Sequence, residues 1–198
     1  MRSQNPCAET LVTSTGVRHN EGMQPQVPIE VSERTGEWSV DGIPMILVPR
    51  HFFLNNHLAI EQALGREKYA DLLFHAGYKS AYTWCEKEAR THGLAGMAVF
   101  HHYMKRLSQR GWAQFEVQSV NEATGAARVH VRHSVFAVEK SGKKSCYMFR
   151  GWFPGSLEFV TGNKNSLRSE EVQCAAEGAD YCIFETELRE TTSRETMA

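Results

Sequence analysis

The segment Glu170–Cys182, with the sequence EEVQCAAEGADYC, places two cysteines on either side of a short connection that contains a glycine. The flanking stretches SLRSEEVQC and DYCIFETEL predict a pair of strands, and Gly178 supplies the positive φ that such a connection needs. A strand pair of this kind brings Cys174 and Cys182 close together. From these two residues alone, a disulfide, a metal site and two buried thiols are all open.

The cysteine count and the N-terminus favour a reducing compartment. The chain has 198 residues and five cysteines, an odd and sparse set for a disulfide framework. Its first residues, MRSQNPCAETLVTSTG, lack the apolar core of a secretory signal peptide, and no apolar run approaches the ~20 residues that span a bilayer. We therefore expect a cytoplasmic protein without a membrane segment, where paired cysteines more often bind a metal or take part in chemistry.

The overall charge argues against direct binding to nucleic acid. The chain carries 22 basic and 23 acidic residues, a net charge of −1, whereas a nucleic-acid-binding domain has a basic surplus. The length suits one domain with a substantial core.

The N-terminal half of the predicted domain is mainly helical. The segment Glu37–Val48 predicts a hairpin that turns at Asp41 and Gly42, with Pro44 on an edge strand. Apolar spacing then predicts three helices near residues 52–65, 67–92 and 94–110.

After Gly111 apolar and polar residues alternate, a repeat of two residues. This pattern predicts strands in WAQFEVQSV and ARVHVRHSVFAVE, a short strand in CYMFR, and a short helix within residues 151–162. With the last strand pair, the expected fold class is α+β: an antiparallel β-sheet meander packed with several helices.

Composition divides the chain into three parts. Residues 1–35 are polar and aperiodic, which predicts a flexible N-terminal arm. Residues 36–190 form the predicted single domain, and residues 191–198 a frayed tail.

A longer pattern extends the cysteine pair. Cys146 opens CYMFRGWFPGSLEF, where Gly151 and Gly155 follow at fixed spacing, and a Glu-x2-Cys-x7-Cys segment comes later. Over roughly Tyr69–Glu185 the chain resembles the 4-vinyl-reductase-type ligand-binding domain, a family that includes the effector-sensing domain of bacterial activators responding to phenols and toluenes.

The resemblance implies a zinc site and an apolar ligand cavity between sheet and helices. The family's four zinc-binding side chains correspond to Cys146, Glu171, Cys174 and Cys182. Four protein ligands fill a tetrahedral shell, so we expect a structural Zn²⁺ that holds the last hairpin to the preceding predicted strand. The resemblance also implies a cavity lined by residues of the third helix, the first long strands and the Gly151–Gly162 segment: Phe100, Leu107, Trp112, Val129, Val131 and Trp152. Each of these residues is also consistent with ordinary core.

The resemblance does not extend to the residues that hold the ligand. In phenol sensors a histidine on the third helix and a tryptophan on the second strand hold the ligand hydroxyl. The corresponding positions here are Leu107 and Val131. We therefore expect a ligand that is more apolar than a phenol, or a cation held by aromatic faces.

Several histidines offer a competing site. His101 and His102 lie on the third predicted helix, with His75 on the second and His51 and His57 on the first. Their spacing matches no ligand pair of a known metal or haem motif, so neither haem nor flavin is expected. Cys7 and Cys85 are expected to bind no metal.

The favoured function is a stand-alone small-molecule sensor or carrier, linked to catabolism of a small organic compound. It is expected to form a homodimer and to report to a protein partner. The alternative is an enzyme or an accessory subunit, such as a vinyl-group reductase. Because no dinucleotide fingerprint or Ser-His-Asp arrangement is visible, such an enzyme would need redox equivalents from a partner. A trafficking adaptor is a third option, by analogy of fold alone.

Overall fold

The structure is a computed structural model that describes residues 27–137, 140–163 and 166–189. Its N-terminal part is a small antiparallel sheet of three strands, β1 (Ile29–Val31), β2 (Trp38–Val40) and β3 (Ile43–Met45). The hairpin predicted at Asp41 and Gly42 is confirmed, because Val40 pairs with Ile43 across that turn. Pro44 lies on the edge strand, where its missing N–H costs no ladder hydrogen bond.

Strand β1 falls inside the stretch predicted to be a flexible arm. Ile29–Val31 pair in register with Trp38–Val40, so the predicted boundary at residue 36 divides the small sheet. Residues 1–26 of the predicted arm and the tail 191–198 lie outside the described residues.

Three helices follow, as the apolar spacing predicts: α1 (Arg50–Leu64), α2 (Arg66–His92) and α3 (Met97–Gln109). Gly93 ends α2 in the left-handed conformation that glycine adopts without strain. Among the described residues, no helix combines the length and apolar character needed to cross a bilayer.

The main sheet is antiparallel, but it is not a meander. Its strands are β4 (Gln114–Val120), β5 (Ala127–Arg132), β6 (Leu167–Gln173) and β7 (Cys182–Leu188), in the order β4-β5-β7-β6. The last of these strands therefore lies inside the sheet, between β5 and β6. Strand β5 is also shorter than predicted, because His133 adopts a positive φ directly after Arg132.

The prediction of a strand at CYMFR is wrong. Cys146 is the N-cap residue of a 15-residue helix, α4 (Tyr147–Thr161), which continues through Gly151, Pro154 and Gly155. The glycines serve close packing, since a Cβ at Gly151 or Gly155 would overlap the backbone of α2. The core lies between the sheet and helices α2, α3 and α4, and includes the fully buried rings of Phe100, Phe149, Phe153 and Phe184.

Candidate functional site

The structure brings together the four predicted metal ligands. The donor atoms of Cys146, Glu171, Cys174 and Cys182 all lie within 4.8 Å of one another, and all four residues are buried. The Sγ atom of Cys182 lies 3.9 Å from Sγ of Cys146 and 3.9 Å from Sγ of Cys174. A disulfide would require an S–S distance of about 2.05 Å, so these cysteines form no disulfide with one another.

Local features of the backbone bring these four side chains together. Along β6, alternate residues face inward up to Glu171, and a register shift between Glu171 and Gln173 then lets Cys174 also face inward. A 3-10 turn (Ala175–Glu177) and Gly178, with φ 103°, return the chain to Cys182 at the start of β7. Cys146 reaches the cluster from the start of helix α4, rather than from the strand predicted there.

The spacing of the cluster fits a tetrahedral ion. With Zn–S bonds of about 2.3 Å, neighbouring sulfurs in a tetrahedron lie about 3.8 Å apart. The two measured separations of 3.9 Å agree with that value. The backbone N–H of Ala175 also donates to Sγ of Cys182 at 3.3 Å, a contact that stabilises thiolate charge.

The electrostatics of the cluster favour a cation. Both carboxylate oxygens of Glu171, a residue only 2% exposed, lack a hydrogen-bond partner among the described residues. Burial and the neighbouring Cys174 thiolate raise the pKa of Glu171 to about 8. Hydrogen bonds from Cys146 and Cys182 lower the pKa of Cys174, whereas burial raises that of Cys146. Without a cation, the four groups therefore cannot all be charged, and a divalent ion would let them be.

Nearby basic side chains are engaged elsewhere. Lys143, Arg150 and Arg168 each form an ion pair with a carboxylate outside the cluster. Nζ of Lys143 binds Glu61 at 2.7 Å, Arg150 binds Glu170 at 3.1 Å and Arg168 binds Glu187 at 2.7 Å. The donor set thus fits a metal ion better than a protein cation.

A surface groove of about 1090 Å³ borders the cluster at Glu171. Glu171 is part of its wall, together with α2 residues such as Phe74 and basic residues such as Arg150 and Arg189.

The predicted ligand-pocket residues lie together in the core. Phe100, Leu107, Val129, Val131 and Trp152 are buried there, and the half-buried Trp112 packs against them. Their role as a ligand cavity stays a prediction, because the same positions are also well-packed core.

Aromatic side chains surround two of these residues, Trp112 and Trp152. The ring of Trp112 packs edge-on against Trp152 at 5.1 Å and against Phe53 of α1 at 5.4 Å. Phe149 lies 4.8 Å from Trp152. The buried indole Nε1 of Trp152 lacks a hydrogen-bond partner among the described residues, and an unused buried donor costs about 1–3 kcal/mol.

The histidines weighed as an alternative site are dispersed. His51, His75 and His101 are exposed. His57 is buried, and its Nδ1 lies 3.2 Å from the Tyr69 hydroxyl, while burial lowers its pKa. His102 lies in a second cluster, with Glu88, His92 and Asp41.

The sequence did not lead us to predict two polar networks. Glu61 of α1 accepts hydrogen bonds from Lys143 and from Tyr147. Glu88 and His92 form the other, at the end of α2. In both networks two residues lie one helical turn apart, His57 with Glu61 and Glu88 with His92. This spacing is the sequence feature from which the networks could have been predicted.

Comparisons with known proteins bear on the fold. A family model described as a domain of unknown function (DUF5943) matches residues 23–118, a region that precedes the cysteine cluster. No curated protein matches the chain significantly. The phenol-responsive sensory domain of the transcription activator PoxR, solved with phenol, superposes with a TM-score of 0.70 at 13% identity, over 81% of this chain and 84% of that chain.

Two further structures share the fold more distantly. A vinyl-4-reductase family protein from Methanocaldococcus jannaschii gives a TM-score of 0.50 at 14% identity, over 74% of this chain and 85% of that chain. A trafficking protein particle complex subunit 3 from Naegleria fowleri, covalently bound to palmitic acid, gives a TM-score of 0.51 at 16% identity, over 71% of this chain and 95% of that chain. The predicted resemblance is confirmed at the level of the fold, which this chain shares with the phenol-sensing domain of PoxR and with a vinyl-4-reductase family protein.

Proposed function

We propose that the protein is a small-molecule-binding domain, a sensor or carrier linked to catabolism of a small organic compound, whose closing hairpin is held by a structural Zn²⁺. The fold of a phenol-sensing domain supports the binding role. The observation that carries the proposal is the buried, unpartnered N–H of Trp152 within an aromatic group. Such a donor inside an apolar site is how proteins orient a small ligand.

The proposed ligand is mostly apolar and carries one hydrogen-bond acceptor. Leu107 and Val131, at the two positions that the resemblance assigns to binding of a phenol hydroxyl, cannot donate a hydrogen bond. The N–H of Trp152 can donate to a carbonyl or ether oxygen instead. Access would follow a shift of α1, whose Phe53 covers the rings of Trp112 and Phe136.

A pair of nearly isosteric probes tests this assignment. We expect acetophenone to bind more tightly than ethylbenzene, because only the ketone accepts a hydrogen bond from Trp152. One such bond corresponds to a preference of about 2- to 10-fold. The Trp152→Phe variant should lose this preference, as measured by isothermal titration calorimetry.

The control is Trp38→Phe, which removes a tryptophan from the small sheet and should keep the preference. Native mass spectrometry of freshly purified protein should show a retained organic molecule. The proposal fails if neither probe binds the wild-type protein, or if Trp152→Phe keeps the full preference.

A homodimer is also part of the proposal. Seven exposed apolar side chains, here called the strip, lie on the β3–α1 connection and on α1: Ile46, Leu47, Val48, Phe52, Leu58, Ile60 and Leu64. The two most exposed members are Ile46 at 81% and Leu47 at 78%. Within α1 the only acidic residue, Glu61, is buried. Exposed apolar surface is typical of the centre of a protein–protein interface.

A charge placed in the strip should separate the subunits. We expect Leu47→Asp to convert a dimer into a monomer at micromolar concentration, measured by analytical ultracentrifugation. Leu188→Asp, at an exposed leucine outside the strip, should leave the mass unchanged. A monomeric wild-type protein, or a dimer that survives Leu47→Asp, would contradict this assignment.

A further inference from the structure

A second group of metal-binding side chains lies where the small sheet meets the helices. It shares no residue with the cysteine cluster. Glu88 and His92 lie one turn apart at the end of α2, His102 lies on α3, and Asp41 lies in the turn between β2 and β3. One donor atom from each of Glu88, His92 and His102 falls within 4.8 Å of the others.

The individual distances approach those of a coordination shell. Nε2 of His92 lies 3.4 Å from Oε2 of Glu88 and 3.6 Å from Oδ1 of Asp41. Ligands bound at about 2.05 Å around a tetrahedral ion are separated by about 3.4 Å. Nε2 of His102 lies closer, 2.7 Å from Oε2 of Glu88, so this pair would separate slightly when an ion enters.

The burial of Glu88 indicates a ligand. Its side chain is fully buried, and its Oε1 has no hydrogen-bond partner within the described ranges. A buried carboxylate oxygen without a hydrogen-bond partner is costly, and a bound ion would supply that partner. The side chain of His92 is 29% exposed, which gives an ion a route from solvent.

Neighbouring groups fix the orientation of these ligands. Nη2 of Arg106 lies 3.0 Å from Oδ2 of Asp41, and Oδ1 of the same carboxylate faces His92. The ring of Trp84 stacks on His102 with an interplanar angle of 21°. Contacts of this kind hold metal-binding carboxylates and imidazoles in place.

The charges around the group determine how tightly it would bind a metal ion. Arg106 and Arg110 lie beside Asp41 and Glu88, and Arg110 stacks over Trp84 at 4.6 Å. Two arginines thus balance two carboxylates, so a bound dication adds net positive charge. An ion here should bind more weakly than at three thiolates and should exchange readily with solvent.

We propose that Asp41, Glu88, His92 and His102 form a second, exchangeable site for a divalent transition-metal ion. Imidazole and carboxylate ligands suit Zn²⁺, Co²⁺ and Ni²⁺. Since Asp41 comes from the β2–β3 turn, the ion would join the small sheet to the junction of α2 and α3.

Cobalt titration of the full-length protein tests this site. Wild-type protein should bind about one more Co²⁺ per chain than the double variant His92→Ala/His102→Ala, measured by calorimetry and metal analysis. The extra ion should give visible d–d bands without the near-ultraviolet charge-transfer band of thiolate ligands. We expect its affinity to fall at least ~10-fold in the variant, because loss of an outer contact alone costs that much.

The matched control is His75→Ala/His101→Ala, which removes two exposed histidines outside the group and should bind as the wild type does. Circular dichroism melting confirms that each variant is folded. Equal cobalt binding by wild type and the His92/His102 variant would overturn the proposal. So would an extra ion that carries the thiolate charge-transfer band, because the cysteines would then hold it.

Discussion

Replacement of Cys174 by serine is expected to abolish zinc binding and to lower the unfolding temperature. The ion would join Cys146, at the start of α4, to both strands of the closing hairpin, through Glu171 and Cys174 on one side and Cys182 on the other. Loss of a structural metal is among the few single-residue changes that cost more than ~4 kcal/mol. In a domain of this size that cost lowers Tm by about 8–16 °C.

The measurement combines metal analysis with scanning calorimetry. Cys85→Ala is the matched control, because Cys85 is also a fully buried free cysteine but lies on α2, outside the cluster. It should keep its zinc and lose only about 1 kcal/mol of stability. Unaltered zinc content in Cys174→Ser would remove Cys174 from the site. Absence of metal from wild-type protein would contradict the zinc assignment itself.

Gly151→Ala should destabilise the protein strongly while leaving its zinc in place. A Cβ at this position would overlap the carbonyl oxygen of Phe74 and lie 2.7 Å from the amide nitrogen of Tyr78. Both are backbone atoms of α2, so the helices must move apart. Overpacking of this kind costs about 1–3 kcal/mol or more. Thermal unfolding and zinc content of the purified variant test this expectation.

The control for Gly151 is Gly162→Ala at the end of the same helix. Gly162 adopts φ 76° and has no atom within 4 Å of an added Cβ. Its replacement costs conformational strain alone, about 1–2 kcal/mol. If Gly151→Ala is no less stable than Gly162→Ala, the close approach of α2 and α4 is not what requires glycine.

Most elements were predictable because their apolar periods are local. The spacing in α1, α2 and α3 and the alternation in β4 and β6 follow directly from which side of each element meets the core. The helix predicted within residues 151–162 is confirmed, but the prediction failed at the first turn of α4, where it placed a strand, because Gly151, Pro154 and Gly155 resemble loop residues. The glycines are needed there for contact with α2, a reason that only the tertiary structure reveals.

Sheet order was harder to predict than strand positions. Each hairpin forms from neighbouring sequence, but the pairing of β5 with β7 joins segments about fifty residues apart, such as Val131 with Cys182. Short-range patterns do not encode such a partner.

The candidate site was predictable only in part. The cysteine cluster was found because its resemblance to a known domain links distant residues. The group of Asp41, Glu88, His92 and His102 was missed, since a glutamate and a histidine one turn apart look like any solvated helix face. Whether Trp152 contacts a ligand cannot be inferred from its residue type, because core and pocket select the same side chains.

The interior position of β7 also affects how the protein is made. Both flanking strands, β5 and β6, precede β7 in the chain. A nascent polypeptide therefore cannot complete the main sheet until the residues through Leu188 have left the ribosome. Until then β5 presents an unpaired backbone edge beside Val129 and Val131. Synthesis of this domain thus includes an interval in which an aggregation-prone edge needs protection, and that interval ends only with the arrival of the final strand.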